Sequence, residues 1–395
     1  MNVLFLGLMY SQDKIGEYKI NCKRGLQFAA QNLQESIIEG LLANGVEVTT
    51  IVKPVLSTFP KGYRYPYVRG CDFIFRGKNM GRSIGYFNLP LFNKPSKSEY
   101  LKLIEDWYYK TGSEKVMFVY ALEARLMKIA VETKNKFPDI TIIQIVPDLP
   151  RFVGCNKYYK KLGLKERDER MIYNLVGKFD RYVLLCKNMA DDLRVDKKKC
   201  VVMEGIFSPE DTVSSTVKES QRVILYTGNL DARYGIINLL DAFSLIKDEN
   251  FRLWIRGNGA TEPIVRERMT KDSRISLIPQ LSKAELLALE RKATILVNPV
   301  SPKQEFTRFF FPSKTMDYLA SGTPTLMFEL ECLPEEYKPH LFFFKEDTSE
   351  QMASDLCKYC CLSEKKLIEK GENASRFIME NKLSKMQVKR ILDII

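Results

Sequence analysis

The stretch EFTRFFFPSKTMDYLASGTP, residues 305–324, decides how this chain folds. Pro312 suits the first position of a helix, because its fixed backbone angle is helical and its missing N–H has no helical partner there. A glycine and a proline follow where such a helix would end. The pattern therefore predicts a helix over 313–320 that leads into a strand over 325–328.

The first turn of this helix contains a lysine. Lys314 faces the positive end of the helix dipole, which normally disfavours a cation. An anion bound at the helix start would explain it, and the alternative is a solvated lysine on a helix that packs against the core. Asp317 lies one turn further along the same face, where a carboxylate can accept hydrogen bonds from two ribose hydroxyls.

Short β-rich runs alternate with helical patterns on both sides of this stretch. In the C-terminal half the predicted strands are 223–226, 253–255, 275–278, 294–297 and 325–328, and the predicted helices are 236–246, 283–292 and 313–320, with a helical end from 349 onward. In the N-terminal half the predicted strands are 3–7, 46–52, 116–120, 140–146 and 182–186, with helices over 25–43 and 121–136. Such alternation predicts parallel sheets with crossover helices.

Two domains are expected, because 395 residues exceed what one hydrophobic core usually supports. The polar stretch 208–220 separates two alternating patterns and reads as an interdomain linker. We therefore expect one doubly wound α/β domain over 1–207 and a second over 221–381. The last helix, about 382–395, is expected to pack back on the first domain.

The composition is that of a basic globular protein, with a formal net charge of +12. This excess favours anionic partners, which are nucleic acid, phosphorylated substrates or an acidic membrane face. A basic solvated surface is the plain alternative. Because the sequence contains none of the usual nucleic-acid recognition motifs, we expect no nucleic-acid partner.

The cysteines and the chain's hydropathy limit its chemistry and location. Nine cysteines are dispersed, and the single histidine, His340, is remote from their only cluster at 357–361, so we expect reduced thiols and no metal. The apolar runs are shorter than the ~20 residues that span a bilayer. The N-terminus fits a buried strand better than a signal peptide. We therefore expect a cytoplasmic protein.

Two more strand-to-helix turns are candidate anion sites, because ligands of open α/β sheets bind at the carboxyl ends of the strands. The turn TGNLDARYG, 227–235, places Arg233 just ahead of a helix. A guanidinium there can clamp a phosphate with two hydrogen bonds, and a surface arginine in a polar loop is the alternative. The turn IRGNG, 255–259, has glycines that let the backbone approach a ligand, although ordinary turn chemistry explains them too.

The segment PSK-x-x-DYLASG-x-P resembles the donor-binding helix of the retaining glycosyltransferases of family 4. The likeness continues in 227–235 and 255–259, and more loosely in 31–48 and 204–206. It implies the GT-B fold, in which two Rossmann-like domains face each other across a cleft. It also implies metal-independent transfer of a sugar from a nucleotide-diphosphate donor, with retention of the anomeric configuration and no cofactor.

The resemblance implies a role for each matched residue. Arg233 and Lys314 would neutralise the leaving diphosphate, and Asp317 takes the place of a ribose-binding glutamate. Glu305 is the nearest counterpart of the glutamate that binds the donor sugar, although twelve positions rather than eight separate it from Asp317. The other residues assigned to donor binding are Gly228, Asn229, Arg256, Gly257, Ser313 and Thr315.

Two positions depart from the family's pattern. Asn229 stands where an arginine commonly contacts the phosphates, and Pro147 stands where many relatives have a histidine followed by aspartate. The donor's own phosphate oxygen takes the acceptor proton in this family, so no enzymatic base is obligatory. Asp148 is expected to contact the acceptor or the sugar as a catalytic residue, with a turn-forming aspartate as the alternative.

Acceptor binding is expected in the first domain. Lys14, Lys23 and Arg24 form a basic run in the first strand-to-helix loop, a natural acceptor position. The basic, tyrosine-containing segment 156–170 suits the anionic inner face of a membrane or a lipid-diphosphate acceptor, and it suits a solvated helix equally well.

The sequence therefore predicts a glycosyltransferase that moves a sugar from a nucleotide-diphosphate sugar to a glycan or lipid-linked saccharide, as in the synthesis of bacterial surface polysaccharides. The alternative is a catalytically silent sugar-nucleotide-binding partner of a glycosyltransferase complex, which Pro147 and Asn229 favour. A sugar-nucleotide epimerase shares the architecture, but it usually needs acids and histidines near the donor that the sequence does not offer.

Overall fold

The computed structural model describes residues 1–23, 25–112, 114–154, 157–209, 217–312 and 314–395, without the side chains of residues 157 and 158. These residues divide into two compact units. The first contains Met1–Ile206 and Ser384–Ile395, and the second contains Phe207–Leu383.

The strands are numbered in chain order. Those of the first unit are β1 (Asn2–Gly7), β2 (Glu47–Val52), β3 (Tyr67–Val68), β4 (Cys71–Phe75), β5 (Lys78–Ser83), β6 (Tyr86–Phe87), β7 (Lys115–Tyr120), β8 (Thr141–Val146), β9 (Arg181–Leu184) and β10 (Cys200–Val202). Those of the second unit are β11 (Arg222–Asn229), β12 (Phe251–Asn258), β13 (Ile275–Ile278), β14 (Ile295–Asn298), β15 (Thr325–Met327) and β16 (Phe342–Phe343).

The helices are numbered in the same way. They are α1 (Ile15–Asn21), α2 (Phe28–Ala43), α3 (Lys97–Lys110), α4 (Ala124–Lys136), α5 (Lys157–Lys161), α6 (Leu164–Val176), α7 (Met189–Leu193), α8 (Ile236–Leu245), α9 (Glu262–Lys271), α10 (Lys283–Lys292), α11 (Lys314–Ala320), α12 (Ser349–Cys360), α13 (Glu364–Asn381) and α14 (Ser384–Leu392). Of these, α1 to α7 and α14 belong to the first unit.

The sheet of the first unit has the order β10-β9-β8-β7-β1-β2-β5-β4. Its neighbouring strands are parallel except for the hairpin of β4 and β5. Strands β1, β7 and β8 are almost entirely buried, as expected where helices cover both faces of a parallel sheet. The chain winds from β1 towards β2 and then returns to the other side at β7, so the winding direction changes between β1 and β7.

The last helix completes the first unit. Helix α14 packs on α2 so closely that a Cβ on Gly40 would lie 2.3 Å from a methyl carbon of Val388. The Arg181 side chain also donates a hydrogen bond of 2.6 Å to the carbonyl of Ile394. The chain therefore ends on the unit in which it begins.

The sheet of the second unit has the order β13-β12-β11-β14-β15-β16, and its neighbours are all parallel. Here the winding direction changes between β11 and β14. Two parallel-sheet α/β units confirm the predicted fold class. The strands β11 and β12 extend beyond their predicted ends, because the polar residues after their apolar runs stay paired in register, Thr227 with Arg256 and Gly228 with Gly257.

Two other features bear on the predictions made from composition. The eight cysteines among the described residues are all free thiols. In the same part of the chain, every helix is too short or too polar to cross a membrane.

Candidate functional site

The carboxyl ends of β11 and β12 form one edge of the candidate site. Gly228 on β11 lies beside Gly257 on β12, and a Cβ on Gly257 would come within 1.8 Å of the Gly228 carbonyl oxygen. Close backbone approach therefore requires a glycine at this position. The predicted donor-binding glycines thus have a packing role, and their contact with a donor stays a prediction.

Helix α11 is attached to the end of β11 through a tyrosine. The Tyr318 hydroxyl is buried, accepts hydrogen bonds from the backbone N–H of Thr227 at 2.8 Å and from its hydroxyl at 3.1 Å, and donates one to its carbonyl oxygen at 3.0 Å. Because a buried tyrosine hydroxyl that satisfies these groups fixes the helix against the strand, the start of α11 lies beside the strand end.

Lys314, the first residue of α11, is half-buried at this junction. Its ammonium group donates a 3.3 Å hydrogen bond to the Thr227 hydroxyl. Burial lowers the pKa of Lys314, while the negative charges of Glu290 and Asp317 act in the opposite direction. The side chain is therefore directed at the strand end rather than into solvent. Ser313 lies outside the described residues.

Glu290, on α10, is the acidic residue of this site that the sequence did not reveal. The residue is only 3% exposed. Burial raises the pKa of Glu290 to about 8, and the negative charge of Asp317 adds to the rise, whereas the nearby Lys314 and Arg256 and the polar Thr227 side chain lower it. A glutamate followed by arginine and lysine near a helix end resembles an exposed charged face, so no local pattern could have identified it.

Arg256, at the end of β12, has hydrogen-bonding capacity to spare. Its Nε is buried and has no hydrogen-bond partner among the residues that the structure describes. One terminal nitrogen donates a long, 3.5 Å hydrogen bond to the Leu281 carbonyl. A half-buried guanidinium with an unsatisfied, buried N–H is a ready donor for an anionic ligand. We call Thr227, Arg256, Glu290, Lys314 and Asp317 the second-sheet cluster.

Arg233 differs from Lys314 and Arg256 because it is exposed and already has an acidic partner. It lies in the turn between β11 and α8, is exposed, and its guanidinium makes two 3.1 Å hydrogen bonds to the Asp231 carboxylate. The same carboxylate accepts the Arg233 backbone N–H. Arg233 is thus paired within its own turn, and its predicted contact with the diphosphate would require it to exchange that partner.

The other predicted donor residues divide by exposure. Asp317 is exposed, one turn after Lys314 and within electrostatic range of it. Glu305 is also exposed, at the start of a short 3-10 segment, and Asn229 is exposed at the end of β11. Thr315 is buried, and its hydroxyl lies 4.0 Å from the Met327 sulfur. The structure thus places Thr315 in the core next to Lys314.

An aromatic cluster connects the loops that follow β11 and β14. Tyr234, Phe306 and Phe310 pack with ring centroids 5.6 to 6.4 Å apart. These two loops flank the change of winding direction, the position at which open α/β sheets bind ligands. The second-sheet cluster therefore lies where a ligand is expected on topological grounds.

In the first unit, Asp148 follows β8 at the carboxyl edge of the sheet. The residue reaches the surface, yet the surrounding protein displaces enough water to raise the pKa of its carboxyl group. Tyr120 is buried at the end of β7, where burial and, to a smaller extent, the negative charge of Asp148 raise the pKa of its hydroxyl group. Asp148 thus occupies the strand end predicted for it, and its catalytic role stays a prediction.

The predicted acceptor residues lie in the loop after β1. Lys14 pairs with Glu17 at 3.2 Å, and the exposed Lys23 donates a 3.4 Å hydrogen bond to the Pro60 carbonyl. Arg24 lies outside the described residues. Two buried amides anchor this loop, because Gln34 accepts the Leu8 N–H and Gln31 accepts the Tyr10 N–H, each at 2.8 Å.

Comparison with known proteins places this geometry in context. Residues 221–360 match the model of the family described as glycosyl transferases group 1. The sequence matches none of the curated proteins with which it was compared.

Solved structures resemble the whole chain. Sucrose-phosphate synthase from Thermosynechococcus elongatus is 13% identical, with a TM-score of 0.62 over 99% of this chain and 98% of its own. The lipopolysaccharide outer core galactosyltransferase WaaB is 12% identical, with a TM-score of 0.62 over 100% and 99%. Anabaena HepE, solved in complex with UDP, is 11% identical with the same TM-score over 100% and 99%.

The fold is therefore GT-B, as the sequence predicts. The domain match and this fold together support a glycosyltransferase, which confirms the predicted enzyme class. The assignment to family 4 and the retaining mechanism stay predictions.

Proposed function

We propose that this protein transfers a sugar from a nucleotide-diphosphate sugar to a glycan or lipid-linked saccharide, with retention and without a metal. The observation that carries the proposal is the position of Lys314. Lys314 is the first residue of α11, and its half-buried ammonium group donates a 3.3 Å hydrogen bond to the Thr227 hydroxyl at the end of β11. A cation is thus held where the helix start meets the strand end. Arg256 adds a buried N–H that lacks a partner among the described residues.

The proposed chemistry depends on stabilising a leaving diphosphate. The bond between the anomeric carbon and the phosphate oxygen breaks, the acceptor oxygen bonds to the same face of that carbon, and the acceptor proton passes to the phosphate oxygen. Negative charge develops on the diphosphate as the bond breaks, so preorganised cations stabilise the transition state more than the ground state. We assign this role to Lys314 and Arg256, and we assign Arg233 to binding of the donor diphosphate, for which it would exchange its partner Asp231.

The remaining assignments assume that the donor diphosphate lies beside Lys314 and Arg256. Asp317 would accept the ribose hydroxyls, since it is exposed one turn after Lys314. Glu305 would bind hydroxyls of the donor sugar, and Asp148 would meet the sugar or the acceptor. The HepE structure was solved with UDP, which favours a uridine diphosphate sugar as the first donor to test.

We place the reaction in the synthesis of a surface polysaccharide or related glycoconjugate, as the likeness to a lipopolysaccharide galactosyltransferase suggests. The net charge of +12 favours a cytoplasmic protein that contacts the anionic inner face of a membrane through its basic segments. Helix α5, which contains three lysines, is the candidate contact.

A thermal-shift screen of UDP-, GDP-, ADP- and CMP-sugars tests the donor. A ligand at about a hundred times its dissociation constant adds ~2.7 kcal/mol to the free energy of unfolding. We expect one of the diphosphate sugars to raise the unfolding midpoint by several degrees. CMP-sugars carry a single phosphate and serve as the mismatched ligands.

Release of the nucleoside diphosphate then separates the enzyme from its alternative. A glycosyltransferase releases nucleotide when an acceptor, or slowly water, is present, whereas a silent partner binds the donor without turnover. Failure of every nucleotide sugar to raise the midpoint would contradict the proposal. Binding without nucleotide release across a panel of acceptors would favour the silent partner, to which Pro147 and Asn229 already point.

A further inference from the structure

Three basic residues from separate segments gather at the carboxyl edge of the first sheet. Lys53 directly follows β2, Arg125 lies in the first turn of α4 after β7, and Lys94 lies in the loop before α3. Strands β2 and β7 flank β1. These residues therefore surround the point between β1 and β7 where the winding direction changes, which is where a ligand of this sheet is expected.

The charges of this group act on one another. The Lys53 ammonium lies 4.7 Å from the centre of the Tyr86 ring. Burial lowers the pKa of Lys53 to about 8; the negative charge of Glu123 opposes this, and the positive charges of Lys94 and Arg125 add to it. We call Lys53, Lys94, Arg125 and Glu123 the first-sheet cluster.

The acids of this region do not balance its cations. One oxygen of Glu123 already accepts the backbone N–H of Leu126 at 2.7 Å, as the cap of α4. Asp168 lies 3.5 Å from the Lys94 ammonium, but it also pairs with Arg167 at 3.6 Å. Lys53 and Arg125 therefore have no carboxylate of their own within ion-pair distance among the described residues.

Two buried donors beside these cations are unsatisfied. The Nε of Arg125 and the hydroxyl of Tyr100 are buried and have no hydrogen-bond partner in the part of the chain that the structure describes. Tyr100 is 1% exposed, and the charges of Glu123 and Arg125 both influence its pKa, which burial raises. A buried donor without a partner is unfavourable, so an anion that accepted hydrogen bonds from these two groups would bind favourably.

We propose that Lys53, Lys94 and Arg125 bind a phosphoryl group carried by the acceptor. The proposal rests on the proposed function, because a glycosyl transfer supplies the acceptor. A phosphate ester carries a charge near −2 and three acceptor oxygens, which match three cations and the free N–H and O–H groups better than a carboxylate does. The phosphoryl group belongs either to a soluble sugar phosphate or to a lipid headgroup.

Calorimetric titration of the full chain with glucose 6-phosphate, with glucose as the unphosphorylated contrast, tests the soluble source. The chain carries Lys314→Ala, so that phosphate bound at the second-sheet cluster contributes less. We expect Arg125→Gln to weaken binding about tenfold or more, because it removes a charged hydrogen-bond donor. Glu123→Gln keeps the helix cap but removes the opposing charge, and it should tighten binding severalfold.

Lys128→Gln is the matched control, since Lys128 is exposed on the same helix as Arg125. Should Arg125→Gln lower the unfolding midpoint, Lys94→Gln replaces it, because Lys94 lies in a loop. Cosedimentation with phosphatidylcholine vesicles that contain phosphatidic acid tests the lipid source with the same variants. Loss of binding in either arm with Arg125→Gln and not with Lys128→Gln supports the site.

Equal binding by the Arg125→Gln and Lys128→Gln variants in both arms would overturn the proposal. The donor screen distinguishes this failure from failure of the proposed function, because Arg125→Gln on the otherwise unaltered chain should keep the full nucleotide-sugar shift. Phosphate binding that depends on Arg125 in a protein that no nucleotide sugar stabilises would leave the anion site standing and the glycosyl transfer refuted.

Discussion

The carboxyl edges of the two sheets both gather basic side chains at a change of winding direction, yet they balance those charges differently. In the second-sheet cluster, two acids, Glu290 and Asp317, act on Lys314. In the first-sheet cluster, three cations face Glu123 and, beside Lys94, Asp168, which also pairs with Arg167, while Arg125 and Tyr100 keep unsatisfied donors. The second-sheet cluster therefore has as many acidic as basic side chains, whereas the first-sheet cluster has more basic than acidic ones.

This difference has a consequence for ligand binding. A diphosphate that approached Lys314 would be repelled by an ionised Glu290, but the pKa of Glu290, raised to about 8, keeps this carboxyl group mostly protonated at neutral pH. Donor binding is thus expected to weaken as the pH rises through about 8 and Glu290 ionises. The first-sheet cluster needs no such proton, because its anion would meet an uncompensated positive charge.

Among the variants that test this comparison, Lys314→Ala should have the largest effect, a loss of turnover at the second-sheet cluster. Removing one preorganised group that stabilises developing charge costs about a hundredfold or more in turnover. The helix should stay attached to β11, since the Tyr318 hydroxyl keeps its bonds to Thr227. Turnover is measured as nucleoside diphosphate released, beside circular dichroism and the unfolding midpoint.

Lys292→Ala, an exposed lysine at the end of α10, is the control for this variant and should keep its turnover. Unchanged turnover in the Lys314→Ala protein would remove the basis of the second-sheet cluster as a donor site.

The two clusters also differ in how far the sequence could predict them. Lys314, Asp317 and the glycines after β11 and β12 lie in contiguous motifs, so their residue types and spacing indicated a site. Arg125, Lys94 and Lys53 come from three segments that only the sheet order joins. Single cations in polar loops carry no local signal, and their meeting depends on tertiary packing.

The fold, too, was predictable where the signal is local and not where it depends on tertiary packing. The apolar strands in the middle of each sheet were predicted, because periodicity and buried runs are local properties. The hairpin of β4 and β5 at the edge of the first sheet was not predicted, since β5 contains lysine, asparagine and arginine and reads as a loop. Its turn, Arg76-Gly77, has both residues at positive φ, 48° and 73°, as the type I′ turn of a two-residue hairpin requires.

Glu290→Gln should have the next largest effect, on stability as a function of pH. The folded-state pKa of Glu290 is raised to about 8 from an ordinary value of 4.5, so its contribution to stability is present below about 4.5 and is lost as the pH rises through 8. We expect the glutamine variant to exceed the wild type by at least about 1 kcal/mol in free energy of unfolding at pH 9, and to match it near pH 4.5.

Urea titrations at a series of pH values measure this difference. Glu369→Gln, at an exposed position on α13, is the control and should follow the wild type throughout. A constant difference between the Glu290→Gln variant and the wild type from pH 5 to pH 9 would mean that this carboxyl group is ionised throughout, and that donor binding is not linked to its protonation.

Arg233→Ala should have the smallest effect. Arg233 is exposed and is already paired with Asp231 within one turn, so contact with an incoming diphosphate would replace that surface ion pair and add little net stabilisation. We expect the donor KM to rise about threefold, with kcat nearly unchanged. Arg266→Ala removes another exposed arginine that is paired with an acid, Glu262, and should change neither constant. A fall in kcat as large as that of Lys314→Ala would contradict this expectation and would mean that Arg233 stabilises the leaving diphosphate as strongly as Lys314 does.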